Sequence, residues 1–372
     1  MGMLLHGLGA ACAGCPMGEP GPVTLQELGW SPVFQQQLTL EELENLVPAR
    51  VFEVHRTGLR LVFEAGEADV PLGGRWFQGS PEDRPTVGDW VLFEPRTGSI
   101  DRLLERKSLL KRASVARPGD VQLIAANVDT MFLVSSCNEE FNLARMERYL
   151  TLALEAGVQP VVVLTRADQT GDAASYRRAA ESLGRDLPVE VVDARNPDEL
   201  DGLRAWCRTG QTITLLGSSG VGKSTLINSL TGAEVQVTSG IREDDGKGRH
   251  TTTHRSLHLM PGGGLLLDSP GMRELGVLDV EQGLKSAFED VESLAARCRF
   301  NDCAHETEPG CAVRAAIEAG TLDERRLHSY RKLQREELYN TETVAERHAR
   351  TRQFSRMVKQ HQKSPSKNND VS

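Results

Sequence analysis

The residues best equipped for chemistry form one run, Gly217-Ser218-Ser219-Gly220-Val221-Gly222-Lys223-Ser224. It satisfies G-x-x-x-x-G-K-S. An apolar stretch at 213–216 precedes it, and Thr225 opens a segment with helical character, so the motif has the strand-loop-helix setting that gives it meaning. The glycines let successive backbone N–H groups turn inward on an anion, and the following helix adds the positive end of its dipole. Lys223 can then reach the β- and γ-phosphates of a nucleotide, while the Ser224 hydroxyl can ligate Mg²⁺. A glycine-rich turn that carried Lys-Ser by chance would lack the flanking strand and helix.

Downstream, Asp268-Ser269-Pro270-Gly271 closes a second apolar run at 265–267. An acid there can stand beside the metal, and the Gly271 N–H can meet the γ-phosphate. Between the two motifs lies Gly246-Lys247-Gly248-Arg249-His250-Thr251-Thr252-Thr253, one of whose three threonines, taken as Thr252, is expected to complete the Mg²⁺ shell. Ras-type GTPases carry Gln after D-x-x-G to orient water, whereas here that place holds Met272, which cannot; the water-orienting group is open, with His250, brought in when a partner orders its loop, as the hypothesis. The alternative is that His250 only packs or contacts RNA.

Base identity must come from elsewhere. The buried run at 161–164 ends in Thr165-Arg166-Ala167-Asp168, close to [N/T]-K-x-D. The Asp168 carboxylate can accept from guanine N1–H and N2–H₂ together, and adenine lacks that paired donor edge. Arg166 replaces the usual Lys and can still stack on the base. This guanine motif precedes the phosphate loop, the reverse of the ordinary order, so a circularly permuted G domain is expected. The segment Val192-Asp193-Ala194 matches the next guanine element poorly. A fourth constellation, Cys298-x₄-Cys303-x-His305-x₅-Cys311, offers three thiolates and an imidazole for a closed, structural Zn²⁺ site.

These groups need elements to hold them. Residues 25–45 read as an amphipathic helix ending at Pro48. Residues 50–104 then alternate with period two, which predicts a small β-barrel of the oligonucleotide-binding (OB) type, with a sandwich or SH3-like barrel left open. From 121 onward, strands at 130–134, 161–164, 189–192, 213–216 and 265–267 alternate with helical segments, the first of these helices at 146–156. That pattern predicts a mostly parallel sheet with helices on both faces. Beyond 284 the chain turns helical. The expected division is an extension (1–45), an OB barrel (46–115), a permuted α/β P-loop GTPase domain (116–283), a mostly α zinc-binding domain (284–340) and a basic tail (341–372).

Together the barrel, the guanine motif ahead of the phosphate loop, His250-Thr251-Thr252-Thr253, Asp268-Ser269-Pro270-Gly271 and the cysteine cluster resemble the ribosome small-subunit-dependent GTPase A family. Ala125-Ala126-Asn127-Val128-Asp129, leading into the first strand of the α/β sheet, adds to the likeness, which covers about residues 45–340. The resemblance implies hydrolysis of GTP to GDP, binding of the small ribosomal subunit and its rRNA, and a role in late subunit maturation. Departures are Thr165 and Arg166, Ser269 where the family commonly has Thr, and an unmatched start. A nucleotide-gated RNA-binding module with incidental hydrolysis is the alternative function. A metabolic kinase or ATPase would not need Asp168.

Composition bounds this reading. The 372 residues are 39% hydrophobic and 26% charged, and no apolar run is long enough for a membrane span. Seven cysteines fit a reducing, cytoplasmic setting better than a disulfide scaffold. Cys137 and Cys207 read as core residues. Cys12 and Cys15 fall in a lead-in of 22 residues without signal-peptide character, and a monomer is expected. Net charge is −9, from 43 basic and 52 acidic side chains, so contact with RNA must run through local patches. Two suggest themselves: 347–367, and the junction cluster Arg102, Arg106, Lys107, Lys111, Arg112 and Arg117.

Overall fold

A computed structural model describes residues 23–55, 57–113, 121–232, 255–268 and 280–341. Its first unit is built around one long strand. β1 (Val47–Val54) pairs antiparallel with β2 (Gly58–Phe63) and with β4 (Trp90–Glu94), β2 pairs with β3 (Gly66–Pro71), and β4 with β5 (Ser99–Leu103). Contact between β3 and β5 closes the ring. The circuit β1-β2-β3-β5-β4 is that of an OB barrel, which settles the choice left open by periodicity. Alternation supplies its core: Val51, Leu59, Leu61, Val91 and Phe93 point in, while Arg60 between two of them is exposed.

Residues 25–45 do not form the single helix expected. Gly29 adopts φ 87°, and Thr39 caps a fresh helix through a reciprocal bond pair with Glu42, so the segment breaks into α1 (Pro32–Gln35) and α2 (Leu40–Asn45). Pro48 lies inside β1, paired with Leu92. β3 escaped notice because its sequence, Gly-Glu-Ala-Asp-Val-Pro, has little apolar alternation, and Trp76-Phe77 sit in a 3₁₀ turn instead of a strand.

A hairpin of β6 (Leu109–Ala113) and β7 (Val121–Ala126) leads to the second unit. Its strands are β8 (Thr130–Ser136), β9 (Gln159–Thr165), β10 (Val189–Val191), β11 (Thr212–Leu216), β12 (Ser256–Leu259) and β13 (Leu265–Asp268), in the order β10-β9-β8-β11-β13-β12. All are parallel except β12, which runs against β13. β8 is buried along its whole length, as a central strand covered on both faces must be. Helices α3 (Leu143–Glu155) and α4 (Ala173–Glu181) pack on one face; α5 (Asp201–Arg204) and α6 (Lys223–Thr231) pack on the other. β12 also pairs with barrel strand β1 at Glu53↔Ser256, so barrel and α/β sheet are one continuous sheet.

Two buried charges tie the units together. Arg50 is fully buried and donates to the carbonyls of Leu28, Gly88 and Asn127 and to Thr212 Oγ1 at 2.8 Å, joining the N-terminal segment, barrel and α/β unit. Burial lowers its guanidinium pKa to about 10, which leaves it charged at neutral pH. The last unit comprises α7 (Glu281–Ala287), α8 (Glu289–Ala295), α9 (Ala312–Glu318) and α10 (Glu324–Thr341). Gly283 lets α7 approach α3 closely, since a Cβ there would stand 2.3 Å from the Thr151 carbonyl oxygen. Glu147 of α3, wholly buried, accepts from Arg325 and Arg326 of α10 at 3.0 Å each.

Candidate nucleotide and metal sites

Parallel strands deliver their carboxyl ends to one edge of the sheet, and three of the motifs arrive there together. β11 ends in Leu216, directly before Gly217, β9 in Thr165 and β13 in Asp268. Gly217 is obligatory in its place, because an added Cβ would lie 2.4 Å from the Val134 carbonyl oxygen. Gly220 and Gly222 have φ 80° and 94°, the left-handed conformation that curls the loop and that L side chains resist. Gly222 caps α6, whose first residues are Lys223, Ser224 and Thr225. Lys223 Nζ donates to the carbonyls of Gly217 and Ser218 at 2.7 and 2.5 Å, so the ammonium lies over the loop.

The guanine motif touches the phosphate loop directly. Buried Thr165 donates through Oγ1 to the Val221 carbonyl at 2.6 Å, and Arg166, itself at φ 58°, donates to the Gly220 carbonyl at 2.5 Å. Ala167 and Asp168 form the next turn. Asp168 is held by Arg195, with Nη2···Oδ2 at 2.5 Å, and Arg195 is fixed in turn by Asp193. The segment Val192-Asp193-Ala194, a poor match to a guanine element by sequence, is therefore joined to Asp168 through the neighbouring Arg195. Arg195 was not foreseen. Nor was Arg145 of α3, which donates to Ser218 Oγ and so adds a cation to the loop's rim; a lone arginine on an amphipathic helix gives no signal. Ser219 of the loop is exposed.

Asp268 pairs across the ladder with Ser256 at the start of β12. His250, Thr252 and Gly271 lie outside the described residues, as do 347–367 and Arg117.

The cysteine cluster assembles. The ligand atoms of Cys298, Cys303, His305 and Cys311 lie within 4.8 Å of one another. Cys298 Sγ and Cys311 Sγ are 3.9 Å apart, and His305 Nδ1 is 3.6 and 3.5 Å from them. A zinc tetrahedron with Zn–S near 2.3 Å and Zn–N near 2.0 Å has edges of about 3.8 Å between sulfurs and about 3.5 Å from sulfur to nitrogen, so the donor set fits. Burial and Arg331 hold His305 below the ordinary imidazole range, favouring the neutral ring that a metal needs. Cys137 and Cys207 are buried core thiols, Cys207 pushed up to about 12 by burial.

The junction cations are another matter. Arg102 pairs with Glu42, Arg106 with Asp89, Lys107 with Asp129 and Lys111 with Glu82, all between 2.5 and 3.0 Å. Acids distant in sequence neutralise most of what looked like a basic patch.

Comparison with known proteins agrees with this geometry. The family model described as RsgA GTPase matches residues 103–278. A protein of Vibrio parahaemolyticus named small ribosomal subunit biogenesis GTPase RsgA 2 is 49% identical over 335 residues, covering 90% of this chain and 92% of that protein. A Mesorhizobium japonicum protein named small ribosomal subunit biogenesis GTPase RsgA is 49% identical over 321 residues, 86% of this chain and 91% of that one. The crystal structure of YjeQ from Thermotoga maritima superposes with a TM-score of 0.58 at 27% identity, over 77% of this chain and 97% of that one. YloQ, titled a circularly permuted GTPase, shares the fold with a TM-score of 0.57 over 80% of this chain and 97% of that chain.

Proposed function

This chain belongs to the RsgA GTPase family, and from that premise we propose that it hydrolyses GTP to GDP and phosphate in the service of small-ribosomal-subunit biogenesis. The observation that carries the reading is the pair of bonds from Thr165 and Arg166 to the phosphate loop. They draw residues 165–168 against residues 217–222 although sequence separates them, which supports reading the two segments as one nucleotide site. The proposed division keeps the boundaries expected above: extension 1–45, barrel 46–115, G domain 116–283, zinc-binding unit 284–340 and basic tail 341–372.

In this reading Asp168 reads guanine, Arg166 flanks the base and residues 217–225 cradle the phosphates. Lys223 neutralises charge developing on the γ-phosphate as water attacks in line. Ser224, Asp268 and Thr252 would hold Mg²⁺, which would offset the charge of the phosphates. Gly271 approaches the γ-phosphate, and His250 orients the water when the subunit is docked. Cys298, Cys303, His305 and Cys311 would hold a structural Zn²⁺ that fastens α8 to α9. The partner is the small subunit and its rRNA, met by a cytoplasmic monomer; among the described residues no helix is long and apolar enough to cross a membrane.

The test is turnover of GTP, ATP and xanthosine triphosphate by the wild type and by Asp168→Asn. An asparagine amide can donate to the xanthine 2-oxo group, so the variant should lose GTP and gain xanthosine triphosphate. Unchanged GTP preference would overturn the assignment of Asp168.

A further inference from the structure

With four junction cations engaged inside the molecule, the question is where an RNA strand could meet uncompensated positive charge. Among the described residues, two arginines stand out. Arg84 lies over the Phe77 ring, 5.2 Å from its centroid, and its buried Nε has no hydrogen-bond partner. Arg255 donates once, to the Leu123 carbonyl at 2.6 Å, and its Nε is likewise buried and unpartnered. Among the described residues neither meets a carboxylate. Both line a single cavity of about 250 Å³ between the barrel and the β6–β7 hairpin, together with Thr86 and Gln122 and with no acid among the described lining residues.

The physical setting favours an anion. Apolar walls that include Val54, Val87 and Leu123 lower the local dielectric and strengthen a charge-assisted bond. Burial, reinforced by nearby Arg112, holds the Arg255 guanidinium below its ordinary value, and a bound anion would relieve both effects. The volume is several times the ~30 Å³ share of one water, room for a phosphate and part of its sugar. Beside it Phe77 is 57% exposed and already stacked on Arg84, a platform on which an adjoining base can lie. A ring next to a phosphate-sized, cationic cleft is the pattern for a strand, not for an isolated ion.

We propose that this cleft seats a backbone phosphodiester of ribosomal RNA between Arg84 and Arg255, with the neighbouring base on Phe77. The proposal rests on the reading that the small subunit is the partner. Its position gives it reach: Arg255 directly precedes Ser256, which pairs with Glu53 of the barrel on one side and with Asp268 of the nucleotide site on the other.

The test uses the full chain loaded with a non-hydrolysable GTP analogue. Wild type, Arg84→Gln, Arg255→Gln, the double variant and Arg255→Lys are titrated against purified small subunits across a salt series, and separately against inorganic phosphate. GTP affinity reports folding, and Arg255→Lys keeps the charge if Gln proves disruptive. Each Gln variant should weaken subunit binding by about ten-fold and flatten the slope of log Kd against log salt by about one, while Lys retains the slope. A double variant with wild-type affinity and slope overturns the inference alone. Phosphate binding that the double variant loses, with the subunit slope unchanged, identifies a free-anion site and also overturns it. Wild type that fails to bind subunits overturns the partner reading and this inference with it.

Discussion

Asp168 faces two claimants, guanine and Arg195. A hydrogen bond to a charged group contributes about 1.5–3 kcal/mol, so Asp168→Asn should weaken GTP roughly ten- to a hundred-fold by equilibrium titration. Arg195 holds the same carboxylate but is 63% exposed, and exposed pairs contribute below about 1 kcal/mol. Arg195→Ala should therefore leave GTP affinity unchanged or raise it a few-fold in the same titration; a marked loss would show that Arg195 touches the base itself. The phosphate loop and the cysteine cluster were legible in sequence because their geometry is local: glycine positions and ligand spacing fall within one short segment. Arg195 and Arg145 were not, because each acts on a residue that only folding brings near, Asp168 and Ser218 respectively.

At the scale of elements, α3 stands between nucleotide and C-terminal unit. Arg145 near its start reaches Ser218, and Glu147 and Arg148 one turn on reach Arg325, Arg326 and Glu336 of α10. Removing the buried carboxylate takes one partner from each of two guanidiniums, leaving Arg326 with Asp290 and Arg325 with Asp323, so Glu147→Ala should destabilise the protein by about 2 kcal/mol in denaturant unfolding, the loss of hydrogen bonds between charged groups. That is a large part of a typical ~5–15 kcal/mol total. The loop carrying Cys303 and His305 between α8 and α9 has no regular secondary structure, is braced by polar contacts to the Glu308 carboxylate, and places His305 at φ 60°. A zinc chelator should release one Zn²⁺ per chain and melt helical signal from this unit, measured by metal analysis and circular dichroism, with Cys303→Ser doing the same. Strands rich in apolar residues, such as β1 and β2, were readable; β3, with acids and glycine, and the broken helix at 25–45 were not, since pairing with β2 decided the one and packing of Trp30 and Phe34 on Trp90 the other.

At the scale of the whole molecule, the proposed reading has a chain of net charge −9 meet RNA through a local cleft. Counting cations along the sequence pointed to the junction cluster, but Glu42, Asp89, Asp129 and Glu82 come from other elements to neutralise four of its members. Linear charge is blind to such pairing. The continuous sheet from barrel to G domain, joined at Glu53↔Ser256, means that a subunit gripping the barrel also loads the strand beside Asp268. Isolated GTPases of the Ras type turn over on the order of 10⁻⁴ s⁻¹ and need a partner to complete the site. The most direct measurement is single-turnover GTP hydrolysis with and without purified small subunits, using large subunits and ATP as controls. The account predicts slow turnover alone and acceleration of at least about ten-fold by small subunits only; a rate indifferent to small subunits, or equal with large ones, would contradict it.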